Sequence, residues 1–94
     1  MDHVERQMSQ LFKALGDENR IKILEFLRGG ERCVCEIVPY LGTTQSNVSQ
    51  HLRVLRDLGI IAYRKDGKSM YYHVEKRCVF DIIDIAYKSC TKRQ

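Results

Sequence analysis

Two groups of residues in this chain have the types and spacing for chemistry. The first is Cys33-Val34-Cys35. Thiolates are soft ligands, so two cysteines this close suit As(III), Sb(III), Cd(II), Pb(II) or Zn(II). The second runs from Thr44 to Arg53 and is rich in short hydrogen-bonding side chains. Gln can pair bidentately with adenine, Arg with guanine, and Ser with either base edge or with phosphate. Behind it stand Arg64, Lys65 and Lys68, followed by Tyr71 and Tyr72. Such a cluster suits phosphate or a minor groove.

The elements that must hold these residues follow from periodicity. Val4, Met8, Leu11, Phe12 and Leu15 recur at helical spacing, and Gly16 stops that helix. Asp17 is the expected N-cap of a second helix, with Arg20 at its third position where a capping-box Glu would stand. Ile21, Ile23, Leu24, Phe26 and Leu27 form its apolar face, and Gly29-Gly30 ends it. A short third helix is expected over about residues 36–41, with Gly42 as its stop. Thr43 or Thr44 caps a fourth helix to about Leu58. A strand over 60–64, a turn at Lys65-Asp66-Gly67-Lys68 and a return strand over 70–74 form a hairpin, with Asp-Gly supplying the positive-φ positions. A last helix is expected over about 75–90, followed by a basic tail. Helices three and four make a helix-turn-helix and the hairpin makes its wing. The expected fold class is mainly α with a β-hairpin, a single winged helix-turn-helix domain over residues 1–94.

On the fourth helix Val48, Leu52, Leu55 and Leu58 project to one side. Gln45, Ser46, Ser49, Gln50 and Arg53 project to the other, with no acid until Asp57. A polar face with no task carries Glu and Lys more often, so this face is expected to read DNA. His51 projects near the apolar edge, as a packing or phosphate-contacting residue. Arg56 points away, toward phosphate or solvent. Strand alternation turns one of Tyr71 and Tyr72 inward and the other outward.

Pro39 bears on the cysteine pair. Residues two apart lie about 200° apart around a regular helix, too far for both sulfurs to chelate one ion. Pro39 lacks an N–H and clashes with the carbonyl of Cys35, and Pro is comfortable only in a first turn. The regular helix should therefore begin at or after Cys35, leaving Cys33 in the preceding loop, where the sulfurs can converge. A helix N-terminus also favours thiolate.

Composition sets the class. Net charge is +4: residues 1–42 carry six Lys or Arg against seven Asp or Glu, residues 43–75 five against three, and residues 76–94 five against two. A basic second half suits a polyanion. The longest apolar runs fall short of a membrane span, and the charged opening is not a signal peptide, so a cytoplasmic protein is expected. Four cysteines there point to thiols or metal ligands rather than a disulfide framework. A chain this short buries only about 60–65% of its unfolded surface. Its last helix carries Asp81, Asp84 and Lys88 in a narrow sector, with Cys78, Val79, Phe80, Ile82, Ile83, Ile85, Ala86 and Tyr87 over most of the rest. That stripe is about twice what one-sided packing needs. A homodimer through the last helix is expected, with the first helix contributing.

Several segments in order resemble the ArsR/SmtB family of metal- and arsenic-responsive repressors. Residues 11–24, from Leu11-Phe12-Lys13-Ala14-Leu15-Gly16-Asp17 through Arg20 to Leu24, are similar to its opening stretch. Cys33-Val34-Cys35-Glu36-Ile37 is similar to the cysteine box of its thiolate branch. Ser46-Asn47-Val48-Ser49-Gln50-His51-Leu52, with Leu55 and Gly59, resembles its recognition helix, and Arg64-Lys65-Asp66-Gly67-Lys68 with Tyr71-Tyr72 resembles its wing. The resemblance implies a homodimer that holds an operator when ligand-free and releases it when an inducer binds, with arsenite the first expectation. Three departures stand out. The arsenite box often has a third cysteine where this chain has Val38. The cadmium/lead branch adds cysteines near the N-terminus, where this chain has only His3. The zinc/cobalt branch uses His with Asp on the last helix, where Asp81 and Asp84 stand without a histidine. The candidates for a third ligand are Cys78 or Cys90, including those of a partner chain, and an external thiol; each cysteine alone is more often a small interface residue. Cys78 and Cys90, about 18 Å apart along a straight helix, cannot share one ion within a chain.

Two other readings use the same residues. Cys33 and Cys35, or one of them with a last-helix cysteine, can form a sensing disulfide. A winged helix can also serve as a protein-interaction module, whose signature would be acids or exposed apolar residues in place of Gln45 to Arg53. An enzyme is not expected, because the sequence has no Ser/His/Asp set, no paired carboxylates and no Gly-rich phosphate loop. The DNA target expected of a dimer is a near-palindrome with half-sites about one helical turn apart or a small multiple of that.

Overall fold

The computed structural model describes residues 2–91, and the expected basic tail at 92–94 lies outside them. The chain runs α1 (Asp2–Leu15), α2 (Glu18–Leu27), β1 (Arg32–Cys33), α3 (Val34–Leu41), α4 (Gln45–Asp57), β2 (Ile61–Asp66), β3 (Ser69–Val74) and α5 (Val79–Thr91). The strands form one antiparallel sheet in the order β1-β3-β2. This is the winged helix-turn-helix expected from the sequence, with one strand more.

Local chemistry sets the boundaries. Asp17 caps α2, its carboxylate accepting from the N–H groups of Asn19 at 2.9 Å and Arg20 at 3.2 Å. The corner between α3 and α4 turns on Gly42, whose φ of 71° is left-handed and closes α3 with a bond from its N–H to the Val38 carbonyl. Thr44 then caps α4, its hydroxyl accepting from Asn47 N–H at 3.1 Å.

Three boundaries differ from expectation. Asp66 pairs with Ser69, so it ends β2 and the loop is Gly67-Lys68 alone. Gly67, with φ 64°, is the only positive-φ residue of that turn, the Gly-first pattern of a two-residue hairpin. The last helix begins at Val79 rather than Glu75. The N–H groups of Glu75 and Lys76 both bond to the Ile60 carbonyl, at 2.8 and 3.1 Å, which holds the chain along the sheet before it turns. Helix α3 begins at Val34, one residue ahead of the limit set by Pro39. A capping box explains it: Cys33 Sγ accepts from Cys35 N–H at 3.0 Å, and Glu36 Oε1 accepts from Cys33 N–H at 2.9 Å. Cys33 itself stays outside the regular helix, as its N-cap.

The core is apolar and drawn from every helix. Ile23, Leu24 and Leu27 of α2, Ile37 of α3, and Val48, Leu52 and Leu55 of α4 are buried together with Ile60, Ile61, Tyr72, Val79, Phe80 and Ile83. Helix α3 packs on α2, α4 and β3, so it bridges α4 and the sheet. Two faces remain uncovered. Val4, Met8 and Phe12 line one side of α1, and Ile85 and Tyr87 stand out from α5.

Candidate nucleic-acid interface and thiol site

The inner side of α4 is fixed by Val48, Leu52 and Leu55. This leaves Gln45, Ser46, Ser49, Gln50 and Arg53 exposed on the outer side, as projected. Thr44 is exposed at the start of the helix, where its hydroxyl oxygen serves as the cap. His51 is not on this face. Its ring lies inward, with Nδ1 3.2 Å from Arg20 Nη1 and 3.9 Å from Asp17 Oδ1. A guanidinium only donates, so Nδ1 accepts and the ring proton sits on Nε2. Arg20 also donates to the carbonyls of Ala14 at 2.8 Å and Lys13 at 3.2 Å. One side chain thus joins the end of α1, the start of α2 and the middle of α4. Burial pushes the Asp17 carboxyl up, but the Arg20 and Asn19 N–H bonds and the Arg20 charge bring it below the usual carboxylate range.

The hairpin presents Lys65 and Lys68 openly at its tip. Tyr72 is buried and Tyr71 faces outward, as alternation requires. Arg64 is not free. Its Nε and Nη2 form a two-pronged pair with Glu31, at 2.8 and 2.9 Å, and the guanidinium lies 4.7 Å from the Tyr71 ring centroid. The Arg64 hydrogen bond holds the Glu31 carboxyl below its ordinary range. Arg56 lies over Tyr63, 5.5 Å from its centroid, rather than in open solvent.

Cys33 and Cys35 meet at the junction of β1 and α3. Their Cα atoms are 5.0 Å apart and their sulfurs are joined as a disulfide. Cys33 is 3% exposed, whereas Cys35 is open to solvent. Among the described residues no group of three His, Cys, Asp or Glu side chains converges to hold an ion. Cys78 and Cys90 are exposed and do not join the pair within this chain. Cys78 sits in the turn ahead of α5, and Cys90 flanks an apolar groove beside Leu15 and Ile21. On α5, Asp84 is taken by Arg28 at 2.8 Å. In reduced form, therefore, one chain offers two convergent sulfurs, which fits a soft ion whose remaining ligand comes from outside.

Sequence reasoning missed the Glu31–Arg64 pair, the Arg20–His51 contact and the Cys33–Glu36 box. Only the last had a local signal, an acid three residues after a residue able to cap.

No helix among the described residues is long and apolar enough to cross a membrane. A family model described as "Bacterial regulatory protein, arsR family" matches residues 17–63. A cadmium resistance regulatory protein CadC homolog from Staphylococcus aureus is 38% identical over 85% of this chain and 67% of its own length. A probable mercury resistance operon repressor from Streptomyces lividans is 40% identical over 83% and 62%. An arsenical resistance operon repressor from Staphylococcus aureus is 32% identical over 83% and 75%. The chain thus spans about two thirds of the length of the first two relatives. Among solved structures, Rv0081 of Mycobacterium tuberculosis superimposes with a TM-score of 0.84 at 33% identity, over 95% of this chain and 90% of that one. The homodimeric winged helix-turn-helix domain of Mb0332 from Mycobacterium bovis does so with a TM-score of 0.85 at 25% identity, over 99% and 90%. The helix-turn-helix, the wing and these likenesses together place the chain in the ArsR/SmtB family of metal-responsive transcriptional regulators.

Proposed function

We propose that this chain acts as a homodimeric repressor that leaves its DNA when a soft metalloid or metal ion, arsenite first, binds Cys33 and Cys35. The observation that carries the reading is the convergence of the two sulfurs at the N-cap of α3, the helix that packs on α4. All 94 residues act as one reading and sensing domain, working in the cytoplasm where thiols stay reduced. Gln45, Ser46, Ser49, Gln50 and Arg53 reach base edges, while Thr44, Lys65 and Lys68 meet phosphate. Tyr71 and Arg64 shape the wing, and His51 positions α4 through Arg20. The uncovered faces of α1 and α5 meet their copies in the partner, setting two reading helices on a near-palindrome. Relatives named for cadmium, mercury and arsenical resistance support a soft inducer. With arsenous acid, two thiols displace two hydroxides: two S–As bonds form, two As–O bonds break, and the thiol protons leave in two waters. The third ligand is an external thiol or a partner cysteine. Strain at the start of α3 then disturbs α4.

The decisive measurement is fluorescence anisotropy on a duplex selected from a random pool by the full reduced chain. Arsenite should release the wild type and leave a Cys33→Ser/Cys35→Ser variant bound. A variant that still lets go on arsenite addition refutes the assignment. One observation favours a second reading, a redox repressor: the Cys33–Cys35 disulfide itself. There hydrogen peroxide takes two electrons and two protons from the thiols, giving the disulfide and two waters. Release by peroxide, with no thiolate-to-metal absorption on titration with arsenite, Cd(II) or Zn(II), selects it.

A further inference from the structure

The strand that carries Cys33 is tied in two directions. Arg32 ties it back to α2, donating to the Phe26 carbonyl at 3.3 Å and lying 4.4 Å from the Phe26 ring centroid. Glu31 ties it forward to the wing through Arg64. The sheet register makes the forward tie direct. Cys33 and Arg64 are both Cα partners of Tyr71, one from each neighbouring strand. The Glu31–Arg64 pair therefore links the two outer strands across the middle one, packed on the Tyr71 ring. The third guanidinium nitrogen, Nη1, is 3.7 Å from Asp66 Oδ2 at the hairpin tip. With its donors turned to carboxylates, Arg64 serves as a strut beside Lys65, not as a free phosphate ligand. Exposed ion pairs add little to global stability, but a planar bidentate fork fixes direction. The strand it depends on is only two residues long.

We propose that Glu31 is a positioning residue that carries a change at Cys33 to the wing through Arg64. This rests on the thiol-sensing reading above and adds a second route beside α3. An ion bridging Cys33 and Cys35 pulls on Cys33 where it pairs with Tyr71, and so on the short strand that holds it. Glu31, two residues back, is drawn off Arg64, and Lys65 and Lys68 lose their fixed approach to phosphate.

The test uses the full reduced chain, the selected duplex and arsenite as probe. Three proteins are compared: wild type, Glu31→Gln, and the swap Glu31→Arg/Arg64→Glu. In the wild type, arsenite should weaken DNA binding by about tenfold or more, within the usual range of coupling between two sites. Glu31→Gln should take up arsenite with the same S–As absorption titration, yet its DNA affinity should fall by less than about threefold. The swap should restore most of the wild-type response, which a merely structural role for Glu31 would not produce. Arg64→Gln serves in place of Glu31→Gln should that variant lose its circular dichroism. A Glu31→Gln protein that responds as strongly as the wild type overturns the proposal and leaves the sensing reading standing. A wild type that binds arsenite at Cys33 and Cys35 without losing DNA overturns both.

Discussion

Helix α4 and the β2–β3 hairpin are held by different forces. The helix is seated by burial: Val48, Leu52 and Leu55 are all within 2% of full enclosure. The hairpin is buried only at its root, and beyond Ala62 every residue of β2 is exposed. Its outer half is held instead by Arg64 on Glu31 and on Tyr71, and by Arg56 on Tyr63. Close-packed contacts fix position firmly and are costly to break. Surface ion pairs and cation–π contacts are each worth about 1 kcal/mol or less, so they are readily reset. The helix is the fixed half of the winged helix-turn-helix and the wing is the adjustable half. On the proposed reading, that division suits a regulator whose thiol-bearing strand is hydrogen-bonded to the wing.

The largest loss should come from the buried side of α4. Leu55→Ala should cost roughly 2–5 kcal/mol in urea denaturation, a large share of what a domain this size has. A loss under about 1 kcal/mol would mean that packing does not seat α4. On DNA the two halves should fail differently. Gln50→Ala should lose about 1–3 kcal/mol on the preferred duplex and relax selection at one position. Lys68→Ala should weaken all duplexes alike and flatten the log–log salt slope by about 1. Equal loss of selectivity from both variants would erase the distinction. The smallest effect concerns pH. Glu31 is held below its ordinary range by Arg64, so its contribution is present above the unfolded carboxylate pKa and lost as pH falls through the folded value. Glu31→Gln should be slightly less stable than wild type at pH 7, and the gap should close in acid. A gap that persists at pH 2 would show that the carboxylate charge is not what matters.

Much of the helical half was legible in the sequence. Asp17, Gly42 and Thr44 announce their caps through short-range chemistry, and the period of Val48, Leu52 and Leu55 gives the buried side of α4. The alternation of Tyr71 and Tyr72 was legible for the same reason. What was not legible depends on distant partners. Strand β1 has two residues, too few for any pattern, and exists because Tyr71 and Tyr72 pair with it. The Glu31–Arg64 pair joins positions 33 apart, and nothing in either neighbourhood marks it. His51 was placed near the apolar edge correctly, but its partner Arg20 lies 31 positions away. The start of α5 shifted because the Ile60 carbonyl, remote in sequence, captured two N–H groups.

The unequal enclosure of the two cysteines has a consequence for selectivity. Cys35 meets the solvent, and Cys33 lies 3% exposed behind it. On the proposed reading, a reagent arriving at the reduced chain is caught by the outer sulfur and must still have a bond to give to the inner one. Monovalent alkylators stop after the first step, while an ion with two exchangeable positions completes the second. The site would then act as a valence filter, in which a single-handed electrophile held at the outer sulfur does not lift repression.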